Sequence, residues 1–367
     1  MTEKTESLTT KLEELTEEYK KTKYNKATNL HLGMLRAKIA RIKKEIVASG
    51  RKKHGEGYFV KKSGDATVAL VGFPSAGKSS LINALANTRS KTAQYAFTTT
   101  TVVPGTMVYK GSHIQIFDLP GLIEDAHLGA GRGRMVAAAL KPAELIVFVV
   151  DINNLEQFDR LLAEFHALKI RINERKPSVQ ISEKPAGGIK IETNRSGMPD
   201  SYLEEILKGL GIHNAVVSVW ARADEDTLID IITNTAQYMK AIVALNKIDT
   251  REDYRAVGDS LSKKYGIAVV PVSATEKTNI DRLKAEIYDA LDIITVYLKP
   301  RIGEDTHSMV LRRGATVGEA ARKFHAQIVD RLKCAQVSGR SARFANQKVG
   351  VAHVLEDGDI ITFIKER

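Results

Sequence analysis

An α/β fold built on a doubly wound parallel sheet is predicted for the middle of this chain, with a helical hairpin before it and a small mixed α+β domain after it. Three observations predict it. From Ala66 onward, short Val/Ile/Leu-rich runs alternate with helical stretches, the pattern of strands covered on both faces by helices. The first of these runs enters a glycine-rich loop that opens a helix. Outside this region the pattern changes: apolar residues recur at helical spacing before residue 62, and after Asp292 strand-like runs flank one short helix.

The elements follow in order. Leu8, Leu12, Leu15 and Tyr19 recur at i, i+4, i+7 and i+11, as do Leu35, Ile39, Ile42 and Ile46, so each set lies on one face of a helix. The bend between the two helices is expected within 25–33, and Arg36, Lys38, Arg41, Lys43 and Lys44 are expected on the second helix's remaining surface. A basic, glycine-containing linker, 51–57, follows. The predicted strands are Thr67–Val71, Thr101–Tyr109, Ile114–Asp118, Leu145–Asp151, Ala241–Asn246 and Ala268–Val272, with a helix over Ser80–Ala86. The gap from Asp151 to Ala241 is too long for one crossover helix. It reads as a small inserted subdomain at about 165–238, with helices over Asp200–Gly209 and Asp224–Met239 and a Pro/Gly/Ser-containing piece over Arg175–Pro199. In the last part, Ile293–Leu298 and Asp359–Ile364 are strand-like, Val317–Phe324 is helical after a Thr316 cap, and Asp357-Gly358-Asp359 is a turn. The domain boundaries are therefore 1–62, 63–292 and 293–367.

The chain has 367 residues, 43% hydrophobic and 27% charged, ordinary for a globular protein of two or three domains. Its one cysteine, Cys334, excludes an intramolecular disulfide and suits a reducing, cytoplasmic location. The polar N-terminus lacks the apolar segment of a signal peptide, and no apolar run approaches the roughly 20 residues of a membrane span. The net charge of +11 is unevenly placed: residues 20–62 hold 14 Lys/Arg against 2 Asp/Glu, a concentration suited to a polyanion such as RNA.

Five short motifs carry the chemistry. Gly72-Phe73-Pro74-Ser75-Ala76-Gly77-Lys78-Ser79, with Ser80 beginning the helix, is G-x-x-x-x-G-K-S between a strand and a helix. Its glycines let backbone N–H groups surround phosphate oxygens, and the helix N-terminus adds positive potential. Lys78 is expected at the β- and γ-phosphates and Ser79 on Mg²⁺. Asn246-Lys247-Ile248-Asp249 closes another strand. There Asp249 can accept from guanine N1–H and the 2-amino group, donors that adenine lacks, while Asn246 braces the loop and the Lys247 stem covers the ring. Ser273-Ala274-Thr275 places the Ala274 N–H toward guanine O6. Asp118-Leu119-Pro120-Gly121 is D-x-x-G, with Asp118 holding Mg²⁺ through water and the Gly121 N–H at the γ-phosphate. In Phe97-Thr98-Thr99-Thr100-Thr101 one hydroxyl completes the metal shell, Thr99 first and Thr98 second, whereas Thr101 also suits a strand by β-propensity. Gly129, Gly131 and Gly133 make the stretch after Asp118 suited to reordering. The expected ligands are GTP or GDP with Mg²⁺, and Lys78, Thr99 and Gly121 are the expected catalytic residues. His113 and His127 are read as structural or solvent-facing.

Together GFPSAGKS, FTTTTVVPG, DLPGLIEDAHLGAGRG, NKID and SAT resemble the Obg-related GTPases and, within them, the developmentally regulated GTP-binding protein family. The likeness covers essentially the whole chain. It implies a P-loop NTPase G domain of the OBG type, a basic N-terminal helical region, and a β-grasp TGS domain at 293–367 used for RNA or ribosome contact. It further implies a translation-associated GTPase that works with a separate partner protein. Leu122 stands where Ras-like enzymes carry a water-orienting glutamine, so slow intrinsic turnover is expected. Relatives with Asn at the Ser75 position use K⁺ as a stimulating ion, and serine leaves that question open here. The alternative is an RNA- or ribosome-binding scaffold with GTP as a structural ligand.

Overall fold

In a computed structural model the described residues are 3–23, 29–49, 64–86, 105–119, 136, 138–299, 306–325 and 332–365. The first part contains α1 (Glu3–Lys21), α2 (Asn29–Ser49), β1 (Ala66–Val71), α3 (Lys78–Leu85), β2 (Gly105–Tyr109), β3 (Ser112–Asp118) and β4 (Leu145–Asp151). Then come α4 (Glu156–Ala167), β5 (Ile170–Ile172), β6 (Val179–Glu183), β7 (Ile189–Asn194), α5 (Asp200–Gly209), β8 (Ala215–Val219) and α6 (Glu225–Thr233). Next are β9 (Gln237–Asn246), α7 (Tyr254–Tyr265), β10 (Val269–Pro271) and α8 (Ile280–Ala290). The chain closes with β11 (Ile293–Leu298), β12 (His307–Arg312), α9 (Val317–Phe324), β13 (Leu332–Ser338), β14 (Gln347–Val349) and β15 (Ile360–Lys365). Among the described residues no helix is long and apolar enough to cross a membrane.

The chain divides into two compact units, one of residues 1–57 and 169–238, the other of 58–168 and 239–367. In the second, the main sheet runs β10-β9-β4-β1-β3-β2. β1 pairs in parallel with β3 on one side and β4 on the other, β9 pairs in parallel with β4 and β10, and the β2–β3 hairpin is antiparallel. Every residue of β1 and β4 is buried, which is why these strands read as unbroken apolar runs rather than alternating ones. Because the chain leaves β1 between two neighbours reached in opposite directions, a crevice opens at the C-terminal ends of the strands, where α/β folds bind ligands.

The same unit ends in a sheet of order β12-β11-β15-β13-β14. β11 and β15 are parallel and the other pairs antiparallel. Its core joins Val296, Leu311, Ala335, Val337 and Ile361 to Val317 and Ala320 of α9. The helix starts at a full capping box: Thr316 Oγ1 accepts from the Glu319 N–H, and Glu319 accepts from the Thr316 N–H, satisfying two otherwise orphaned donors.

In the first unit, α1 and α2 form a hairpin and α2 also packs on α5 and α6. The apolar stripe through Leu35 and Ile42 is only part of what α2 buries. A second face of small residues, Ala37 and Ala40, packs with Ile206 and Ile229. A methyl group added to Gly209 would stand 3.0 Å from the Ala37 Cβ. Gly33, expected in the bend, is inside α2 and lies against Tyr202 and Glu225. Of the cations expected on the free surface of α2, Arg36 donates to the Tyr19 hydroxyl at 2.7 Å and Arg41 to Glu45 at 2.9 Å.

Two further expectations change. The Pro/Gly/Ser-containing piece over Arg175–Pro199, where no strand is predicted, contains β6 and β7, which flank β8 in a three-stranded sheet. Val179, Ile181, Ile189 and Ile191 pack on the same core as Leu203 and Leu207, and polar residues between them face outward. The helix expected to reach Met239 ends at Asn234, whose left-handed φ of 54° stops it. The segment from Gln237 then extends β9 instead.

Candidate functional site

The P-loop is built by close approach. Gly72 follows β1 directly, and a Cβ there would lie 2.3 Å from the Val149 carbonyl oxygen of β4, closer than any side chain tolerates. Ser75 and Gly77 take left-handed φ values of 62° and 91°, turning the chain back over α3. Within this curl Lys78 is buried, and its Nζ donates to the carbonyl oxygens of Gly72 at 2.8 Å and Phe73 at 3.0 Å. The Ala76 N–H bonds the Phe73 carbonyl at 3.3 Å, closing the loop around Pro74 and Ser75.

Asn246 ties that loop to the others. Its Nδ2 donates to the Ala76 carbonyl at 2.8 Å, and its Oδ1 accepts the Ala274 N–H at 3.1 Å. This N–H, expected at guanine O6, is held by Asn246 in the structure. Ile248 is a core residue whose N–H bonds Val272 O at 3.3 Å, and the Ser273 hydroxyl accepts from the Glu276 N–H at 3.1 Å. The outcome is a cavity of about 390 Å³ lined by Ser75, Gly77, Lys78, Ser79, Ser80, Asn246, Lys247, Asp249 and Thr275. Motifs up to 200 residues apart in sequence thus share one concave surface.

Asp118 ends β3 beside β1, with its register partner Leu70 just before the P-loop. Its Oδ1 is buried without a hydrogen-bond partner among the described residues. Burial pushes its pKa above the ordinary carboxylate value, against the charge of Lys78 and the Leu119 N–H. Leu119 itself is a buried core residue. Phe97, Thr98, Thr99, Thr100, Thr101, Pro120, Gly121, Leu122, His127, Gly129, Gly131 and Gly133 lie outside the described residues. His113 faces solvent, 60% exposed; its backbone N–H donates to the Asp65 carboxylate at 2.8 Å, its carbonyl accepts the Asp65 N–H at 2.8 Å, and its ring lies 4.0 Å from the same carboxylate.

One residue in this region escaped sequence reading. Asp151, the last residue of β4, stands beside Asn246 in register and accepts from Lys247 Nζ at 2.7 Å. A carboxylate closing an apolar strand was a visible signal, but its neighbour across the sheet was not.

A parallel sheet with a lysine-bearing P-loop after β1 and an N-K-x-D loop after β9 defines a P-loop GTPase domain, here joined to a small β-grasp domain. A family model described as a 50S ribosome-binding GTPase matches residues 67–184, a model of the C-terminal region of that domain matches 186–293, and a TGS domain model matches 294–365. An uncharacterized GTP-binding protein of Methanocaldococcus jannaschii is 40% identical over 96% of this chain and 91% of its own. Developmentally-regulated GTP-binding protein 1 of Xenopus laevis is 37% identical over 97% and 98%, and developmentally-regulated GTP-binding protein 2 of Homo sapiens 35% over 97% and 99%. The chain belongs to the developmentally regulated GTP-binding protein family.

Proposed function

We propose that this protein binds GTP with Mg²⁺, hydrolyses it to GDP and phosphate, and acts as a nucleotide-dependent switch on RNA or the ribosome in the cytoplasm. The observation that carries this reading is Lys78, buried under the P-loop with its ammonium on the Gly72 and Phe73 carbonyls, in a cavity that also contains Asp249. A cation preorganised at a loop of this shape suits a polyphosphate, and a carboxylate in the same cavity suits a base with two adjacent donors.

The Oδ1 of Asp118, buried without a hydrogen-bond partner among the described residues, fits a hydrated cation, because a buried carboxylate oxygen left unpaired is costly until a donor or a positive charge satisfies it. Ser79 and Asp118, the latter through water, would hold Mg²⁺, with Thr99 completing the set. When bound, the ion supplies positive charge at the phosphate oxygens. Lys78 would bring its charge to the β- and γ-phosphates, and P-loop N–H groups would accompany it. Water attacks the γ-phosphorus in line, the bond to the β–γ bridging oxygen breaks, and the proton leaves with the phosphate. No side chain acts as base; Lys78 and the backbone N–H groups, with that of Gly121, stabilise the charge that develops.

The ribosomal part of the reading draws on the family description matched by 67–184, on the TGS module and on the basic window at 20–62. Phosphate release from GTP with Mg²⁺, with and without ribosomes, tests the chemistry, and no turnover in either condition would overturn it. Sedimentation with ribosomes in GTP, in GDP and without nucleotide tests the switch. Folded Lys78→Ala is expected to lose nucleotide-dependent association; binding equal to wild type would favour a scaffold instead.

A further inference from the structure

We propose that Asp151 is a positioning residue for guanine binding, acting through the side chain of Lys247. This inference rests on the guanine-nucleotide reading above and assigns a part to a residue outside the recognised motifs.

Lys247 has a backbone φ of 66°, a region that side chains other than glycine avoid. Its four-carbon stem has many rotamers, so covering a base requires something to select one. Asp151 does this from a rigid place. It ends a strand buried along its whole length, and it is held beside Asn246 by the β4–β9 register and by the Ile152 N–H on the Asn246 carbonyl at 3.1 Å.

The carboxylate is itself oriented. Its Oδ2 takes the Lys247 ammonium at 2.7 Å, while Oδ1 accepts the Asn153 N–H at 2.9 Å and the Asn153 side-chain amide at 3.1 Å. Asn153 passes the constraint on: its amide donates to Thr250 Oγ1 at 3.0 Å, and Thr250 donates to the Lys247 carbonyl at 2.7 Å. Lys247 is thus held at both its ammonium and its backbone, and it lines the cavity that also contains Asp249. Burial would raise the pKa of Asp151, but the bonds from Lys247 and Asn153 outweigh it and keep the group ionised. The pair therefore exists before any nucleotide arrives, so the ligand does not bear the cost of ordering the wall.

The test is release of N-methylanthraniloyl-GDP from the full-length protein, measured for wild type, Asp151→Asn, Lys247→Ala and the double variant. Asp151→Asn is expected to release the nucleotide about tenfold faster, less than for a fully buried pair because Lys247 is partly exposed. The double variant is expected to match Lys247→Ala within about twofold, since a residue that acts through another has no effect once that other is gone. An unchanged release rate in Asp151→Asn, or additive effects in the double variant, would overturn the proposal. Should Asp151→Asn not fold, Asn153→Ala removes the side-chain amide bond to the carboxylate and the link to Thr250, and is expected to speed release about threefold; no change there would equally overturn it. A wild type that holds the adenine analogue as well as the guanine one overturns the guanine reading, and this inference with it.

Discussion

Lys110, at the tip of the β2–β3 hairpin, donates to Asp357 Oδ2 of the C-terminal β-grasp domain at 2.9 Å, with its ammonium 5.0 Å from the centre of the Tyr288 ring. The other oxygen of Asp357 accepts the Tyr288 hydroxyl at 2.6 Å and the Thr295 N–H at 2.9 Å. One carboxylate therefore ties together the hairpin that ends at Asp118, helix α8 and strand β11. Asp357→Ala would leave a buried N–H unpaired and is expected to cost about 2–3 kcal/mol in urea denaturation. Lys110→Ala, removing a half-exposed charge, is expected to cost about 1 kcal/mol or less.

The same carboxylate sets an acid limit. Burial alone would raise the pKa of Asp357, but the Thr295 N–H, the Tyr288 hydroxyl and Lys110 hold it below the ordinary value. A depressed pKa means the folded state binds the proton less readily than the unfolded one. Its contribution is therefore complete above about pH 4 and lost as pH falls through the folded pKa. Denaturation midpoints of wild type and Asp357→Asn are expected to converge as pH falls below about 4.

Asp118 behaves oppositely. Burial holds its pKa above the ordinary value, so above about pH 4 its ionised form weakens the nucleotide-free fold. At neutral pH, Asp118→Asn is expected to stabilise that fold by about 1 kcal/mol in thermal unfolding while losing Mg²⁺-dependent GTP affinity by tenfold or more. A variant less stable than wild type would contradict this account.

Gly77 allows no side chain. Its φ is 91°, and a Cβ would lie 2.2 Å from Asn246 Nδ2. Gly77→Ala is expected to break the Asn246–Ala76 bond, lowering stability by about 2–4 kcal/mol and nucleotide affinity by roughly a hundredfold in calorimetry.

Base choice should follow Asp249. Replacing its carboxylate in Asp249→Ala removes two acceptors and is expected to weaken GDP binding about a hundredfold while leaving ADP binding unchanged, narrowing the preference between purines. Competition of both nucleotides against the fluorescent analogue measures it.

How much of this could be read in advance depended on whether the deciding forces were local. The P-loop could be recognised because a strand, a glycine-rich turn and a helix N-terminus are neighbours in sequence, and the helix over Asp200–Gly209 kept its expected bounds. β6 and β7 carry a period-two signal, Val-Gln-Ile-Ser-Glu and Ile-Lys-Ile-Glu-Thr, but Pro185, Gly187 and Gly188 between them marked the segment by its turn-forming residues instead. The docking face of α2 was missed because Ala37 and Ala40 contribute little to an apolar pattern. What makes them interfacial is how closely a partner helix approaches.

By itself the sequence determined the chemistry that the pocket loops can perform: glycines for a backbone curl, a lysine for phosphate charge, and a carboxylate for a base bearing two donors. These depend on residue type within a few positions of a strand end. Only the tertiary structure decided that Asp151 meets Lys247, that Asn246 takes the Ala274 N–H, and that Asp357 receives Lys110. Each of those pairs is separated by between 28 and 247 residues, and such a contact depends on strand order and register, which no local pattern encodes.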